Sequence, residues 1–290
     1  IAASRGGAVS AIGADLTASD CVFGANDGRY GGAAFVSGTS DVRIEGGVVE
    51  ANGCGAANTT SVEAVQGGGV FVQGGSDTTV TVSAAAVVRA NCATQFGGGA
   101  CARDGAALRI DGGARVLQNA ATTGGGIFAI DGAMLTLSGA SVVENVAARQ
   151  SDIPPCDGAV AAAGGGVALK RADLVAERSS FASNEALDGA GLHADLSTVV
   201  LTAVDFGANA AAGAGGGARF VGGTVSVVGG AAASNAAARG GALSCAGSAV
   251  VDLNGTTFAE NAASLGGAID VGNADEGACT LSGVGVNCSH

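Results

Sequence analysis

Two short signals recur in step along all 290 residues, and a chain that keeps such a beat must build one small unit many times over. The first is a double glycine followed by a small or apolar residue, as in Gly6-Gly7-Ala8, Gly68-Gly69-Val70, Gly125-Gly126-Ile127 and Gly240-Gly241-Ala242. It occurs ten times, counting Gly189-Ala190-Gly191 as a degenerate copy. The second is an asparagine three residues after an apolar anchor. Its members are Asn26, Asn52, Asn91, Asn119, Asn145, Asn184, Asn209, Asn235, Asn261 and Asn287. Successive asparagines lie 26, 39, 28, 26, 39, 25, 26, 26 and 26 residues apart, a period of about 26 with two insertions of 13.

Each unit holds two short stretches of alternating apolar residues, such as Val70-Phe71-Val72-Gln73 and Val80/Val82. A period of two means strands, and the Gly, Asn, Asp and Ser between them form turns. A unit of 26 residues with two or three short strands cannot close a core alone. Stacked on its neighbours it can, with parallel pairing and the alternating apolar side turned inward. The repeat therefore predicts an all-β chain, a right-handed parallel β-helix of about ten rungs with pectin-lyase-like architecture, over residues 1–290 as one solenoid domain. At ~4.8 Å per rung the rod is about 50 Å long. With 53 glycines and no tryptophan, a narrow interior of small side chains is the core such a chain can bury. The glycines suit corners of positive φ or close backbone approach. The asparagines, tolerant of left-handed backbone, are expected to bond amide to amide up the stack as a structural ladder.

The combination of Gly-Gly-Ala/Ile/Val with Phe-x-x-Asn, closest at 23–33, 206–218 and 258–269, resembles the repeat of the chlamydial polymorphic outer membrane proteins. The resemblance spans nearly the whole chain. It implies a β-helical adhesin-type surface protein, a family that includes autotransporter passenger domains; no transporter barrel stands in this sequence.

Eight cysteines, no C-x-x-C spacing and only two histidines favour disulfides over metal binding and point to an extracellular or cell-surface location. Cys54 and Cys92 follow their asparagines by two and one residues in consecutive repeats and are expected to pair. Cys279 and Cys288 bracket the last segment, with Cys245 one repeat earlier, and this connectivity stays open. The insertions, near 53–66 and 146–163, leave from the same place in their repeats and are expected to project as loops, for recognition or as excursions pinned by a disulfide. Asn58 and Asn254 head glycosylation sequons. The outermost rungs carry no obvious polar cap, so a longer chain or end-to-end association is expected. No apolar run reaches the length of a membrane span, and the net charge of −12 disfavours nucleic acid.

For chemistry the sequence offers little. Aligned by repeat, only Lys170, His193 and Asp195 form a group from which catalysis could start. A polysaccharide lyase or hydrolase on this coil is the rival to a non-catalytic role, since glycoside hydrolysis wants two carboxylates facing one bond. A rank of threonines for ice binding is interrupted by Arg43, Arg109 and Asp252. No cofactor or metal is expected. The second position after the double glycine reads Ala34, Phe71, Cys101, Phe128, Ala168, His193, Arg219, Leu243, Ile269, an apolar stripe for a surface expected to face outward. Phe71, Phe128, Leu243 and Ile269 are thus candidates for a lateral interface. A covering chain segment, or a reversed inward and outward assignment, would explain the stripe equally. The expectation is an extracellular structural or adhesive component that associates with itself, with other surface or filament proteins, or with cell-surface glycans.

Overall fold

The computed structural model describes residues 5–54, 65–148, 162–272 and 277–289. These wind as a right-handed parallel β-helix of about ten turns, with no helix among them and every strand pairing parallel. Each turn carries up to four strand segments. The first follows the glycines, as in Val70–Gln73, and the second follows a corner, as in Thr78–Ser83. The third carries the anchor, as in Val87–Arg89. A fourth, two to four residues long, follows the asparagine in six turns from Ala120–Ala121 to Ala262–Leu265. In Leu192–Thr202 and Ala218–Val228 the first two segments run on as single strands of 11 residues, which fuses their tracks into one sheet of 18 strands.

Alternation turns one side of each strand into the coil. Val42, Val80, Leu108, Leu135, Leu174, Val199, Val225 and Val251 lie in one file down the second track, none more than 2% exposed. Burying a Val or Leu side chain is worth ~1.5–3 kcal/mol, so one such file offsets only a small part of the backbone entropy of ordering its turns, and every inward file of the coil has to contribute. On the anchor track Val49, Val88, Val116, Val142, Phe181, Phe206, Ala232 and Phe258 follow one another, and Phe181 stacks on Phe206 at 5.0 Å between centroids. The alanine in this series leaves space: a cavity of about 20 Å³ opens among Phe206, Phe220, Ala232, Leu243 and Phe258.

The glycine signal is a three-residue motif. Gly67-Gly68-Gly69 and Gly31-Gly32-Ala33 are equivalent, because Ala34 pairs with Val70 in register. The first glycine must be glycine twice over. Gly67 has φ +62°, and a Cβ on it would overlap the carbonyl oxygen of Val70. The third position holds alanine in some turns. Anchoring an alignment on the last two glycines of one repeat and the first two of another shifts the following strand by one residue, and one residue in a strand reverses its faces. The shift affects Ala34, Leu243 and Ile269. Leu243 pairs with Ala218, and Ile269 with Leu243, so both belong to the inward file that runs from Val9 through Ala34 and Val70.

Candidate functional site

Two files of side chains concentrate the polar and aromatic groups of the molecule. One is the asparagine ladder at the third corner. Asn52 Nδ2 donates to Asn91 Oδ1 at 2.9 Å, Asn91 to Asn119 at 3.0 Å, and Asn119 to Asn145 at 3.0 Å. The series continues through Asn184, Asn209 and Asn235 to Asn261, and begins at Asn26. Each Oδ1 in the series also accepts the backbone N–H of the preceding asparagine, and the second Nδ2 hydrogen of each later member reaches the anchor carbonyl one turn back, as Asn145 does with Val116 at 3.0 Å. An interior member therefore uses both amide hydrogens and both lone pairs, which is what lets the seven from Asn52 to Asn235 sit at 0% exposure.

The left-handed residue at this corner is the one before the asparagine. Ala25, Ala51, Ala90, Gln118, Glu144, Ser183, Ala208, Ser234 and Glu260 have φ between 52° and 57°, whereas the asparagines lie outside that region. The expectation that asparagine is chosen for its own backbone is thus corrected: its amide bonds hold a corner in which its neighbour carries the strain. Asn287 is a second correction. It pairs with Thr257, and Cys288 with Phe258, because the last turn is four residues longer than its period. The 26-residue interval to Asn261 coincides with the beat without sharing its register.

The second file lies on the outer side of the first strand track. In true register it reads Ser10, Phe35, Phe71, Cys101, Phe128, Ala168, His193, Arg219, Ser244, Asp270. Beside it runs the residue that precedes each glycine motif. Arg5, Tyr30, Gln66, Phe96, Thr123, Ala163 and Asp188 bridge one to the next in parallel. The chain turns back over its own strand here, and the tight glycine turn makes that possible. Phe35, Phe71, Cys101, Phe128 and Ala168 form a small second core at 0–4% exposure, closed by Tyr30, Phe96 and Ile130. Phe35 stacks on Phe71 at 5.6 Å, and Phe96 on Phe128 at 4.6 Å. Burial pushes the Cys101 thiol up to about 12, so this cysteine packs as a small hydrophobe. Phe71 and Phe128 are accordingly buried, and the lateral interface expected of Phe71, Phe128, Leu243 and Ile269 does not exist as an exposed stripe.

Beyond Ala168 the file turns polar. Arg219 Nη1 meets Asp188 Oδ1 at 2.7 Å, and the same oxygen accepts the Ala214 N–H at 2.8 Å. Ser244 Oγ donates to Asp270 Oδ2 at 3.3 Å. His193 sits between Ala168 and Arg219. Its ring is partly exposed, yet Nδ1 is sealed from solvent without a hydrogen-bond partner among the described residues. Burial first and the Arg219 charge second lower its pKa to about 4, against the opposing pull of Asp188 and Asp195. Lys170, the last residue of Val167–Lys170, is the register partner of Asp195 within Leu192–Thr202, and Lys170 is exposed. His193 lies two residues away under the returning chain, so the three do not converge on one bond. Among the described residues no group of three or more His, Cys, Asp or Glu side chains is placed to hold a metal ion.

On the same outer face Arg5, Tyr30, Phe35, Phe71, Gln73 and Arg103 line a pocket of about 180 Å³. The Arg5 guanidinium lies 5.3 Å from the Phe35 ring centroid, and Arg103 Nε bonds Asp104 at 3.1 Å. Tyr30 is the residue that sequence alignment left out, although an aromatic directly before Gly31 and again before Gly97 was there to be read.

Two disulfides cross between neighbouring turns. Cys54 joins Cys92, with Cα atoms 4.7 Å apart, and Cys245 joins Cys279 at 5.9 Å, so the partner of Cys279 is Cys245 and not Cys288. Cys21 is a free, exposed thiol. Asn254 is exposed at a strand end, while Asn58, Cys156 and most of both insertions lie outside the described residues. No described helix is long and apolar enough to cross a membrane. No protein-family model matches the chain, and no curated protein and no solved structure matches it either.

Proposed function

We propose that this chain is an extracellular, non-catalytic β-helix that serves as a structural and adhesive component of a cell surface or a surface-attached filament. The observation that carries the reading is the unbroken ladder from Asn26 to Asn261. The polar residue that recurs in every described turn up to Asn261 is consumed in joining each turn to the next, and that is the economy of a rigid rod. The repeat's resemblance to the chlamydial surface proteins supports display at a surface. The two disulfides between turns fit an oxidising location. Partners on this reading are further copies, other surface proteins or cell-surface glycans. Electron microscopy of natively extracted protein tests it. Filaments or laterally associated rods are expected, and dispersed single rods would overturn the filament. Release of products from polysaccharide substrates would overturn the non-catalytic role.

A further inference from the structure

We infer that Asn254 carries an N-linked glycan whose first sugar shields the two exposed valines beside it, Val228 and Val284. The inference rests on the extracellular reading above, because the transfer belongs to the secretory route. Asn254-Gly255-Thr256 supplies the acceptor motif, and the fold decides what becomes of it. A ladder asparagine has no amide hydrogen to spare, as Asn145 shows by donating to both Asn184 and Val116. Asn254 is the opposite case. It ends the strand Val250–Asn254 on the outward phase of the alternation, exposed, and its amide makes no hydrogen bond among the described residues. Its backbone is nevertheless fixed: its carbonyl accepts the Gly229 N–H at 2.7 Å, and the Gly255 N–H donates to the Val284 carbonyl at 2.9 Å. A free amide on a rigid stem can carry a bulky group without disturbing the coil.

Room for the group is built into the corner. Val228, Asn254 and Val284 are register partners, so the residues after them, Gly229, Gly255 and Gly285, lie level in three successive turns. A Cβ on Gly229 or Gly255 would meet nothing within 4 Å, so open space adjoins the amide. Val228 and Val284 are 46% and 73% exposed. Apolar side chains one turn to either side of the amide, at ~4.8 Å per turn, are a surface that the C–H face of a sugar ring covers. Transfer precedes folding, because in the folded chain Thr256 is 5% exposed and its hydroxyl donates to the Gly229 carbonyl at 3.4 Å. The step joins Asn254 Nδ2 to the anomeric carbon of a sugar carried on a lipid pyrophosphate. The bond from that carbon to the pyrophosphate oxygen breaks, the lipid pyrophosphate leaves with the electron pair, and Nδ2 gives up one of its two protons.

The test is peptide mapping of the natively extracted protein by mass spectrometry. Cleavage after Arg239 and Glu260 isolates a peptide, 240–260, in which Asn254 is the sole asparagine. It is expected to be shifted by the mass of a glycan in most copies. A peptide N-glycosidase acting in heavy-oxygen water should abolish the shift and leave labelled aspartate at 254. Left unreduced, the same peptide is joined through Cys245 to the peptide of Cys279, which reports an oxidising compartment. Unmodified Asn254 in the disulfide-linked peptide would overturn the glycan and leave the extracellular reading standing, whereas unmodified Asn254 with both thiols free would overturn both. Glycosidase treatment of the folded protein should also raise the binding of an apolar fluorescent dye. A glycan whose removal leaves dye binding unchanged would overturn the shielding of Val228 and Val284.

Discussion

The asparagine ladder and the outer file of the first track run along the same coil with the same beat, yet one keeps a single residue type for nine consecutive turns and the other changes from Phe35 to Ala168 to Asp270. The difference lies in where each side chain finds its partner. A ladder asparagine is bonded by the equivalent residue one turn away, so a substitution breaks two turns at once and the file is held uniform. A residue of the outer file is covered by the returning segment of the chain. Tyr30 answers Phe71 and Asp188 answers Arg219, and each pair can change together without consulting the rest of the stack.

The sharpest way to break this comparison is Asn145→Ala. It removes the acceptor of both the backbone and the side-chain N–H of Asn119 and the donor to Val116, all inside the coil. Stranding buried donors costs ~1–3 kcal/mol each, so a loss of about 4–6 kcal/mol is expected in chemical denaturation. The same change at Asn26, partly exposed and with no earlier asparagine bonded to it, should cost about 1 kcal/mol. Equal losses at the two positions would show that the ladder does not act through its neighbours.

Phe71→Ala measures the outer file. If Phe71 faced solvent the change would be nearly neutral; as a member of the second core it should cost about 3–4 kcal/mol. A neutral result would return the residue to the surface.

The polar half of that file predicts a pH dependence. His193 titrates at about 4 in the folded chain against an ordinary 6.5, so between these values the unfolded chain binds the extra proton. Its contribution is whole above pH ~6.5 and is lost as the pH falls towards ~4. The loss is on the order of 2 kcal/mol, below the full linkage value because part of the ring stays hydrated. His193→Gln should remove this component, read as a smaller difference between denaturation midpoints at pH 7.5 and 4.5. A difference as large as that of the unsubstituted chain would assign the acid sensitivity to carboxylates instead.

How far the sequence could be read follows from the same contrast. The ladder shows itself in one dimension because the stack demands one residue type, and the spacing of Asn26 to Asn261 is enough to recover the number of turns. The outer file does not show itself, because its cover comes from residues such as Tyr30 and Phe96 that fall outside the strand pattern and differ from turn to turn. A one-residue difference between Gly-Gly-Gly and Gly-Gly-Ala then placed Leu243 and Ile269 on the wrong face. Asn287 fails for the opposite reason. Its spacing fits the period, but the longer final turn moves it to the level of Thr257. Period reports the count of turns well and the register within one turn poorly.

The anchor track falls between the two files, since its residues vary but must fill a fixed space. Valine occupies it in four consecutive turns from Val49 to Val142, then Phe181 and Phe206, then Ala232, then Phe258. The cavity of about 20 Å³ beside Ala232 is the volume that this alanine leaves unfilled. Ala232→Val adds two methyl groups of a side chain the track already accepts, in a strand where β-branched residues are favoured. A gain of about 1 kcal/mol is expected from the apolar surface removed from the void. Ala232→Phe would press four rings, from Phe181 to Phe258, into consecutive turns and should gain less, or lose stability through overpacking. If valine gave no gain while phenylalanine did, the track would be selecting aromatic stacking and not volume, and the anchor would belong with the ladder as a file whose members recognise one another from turn to turn.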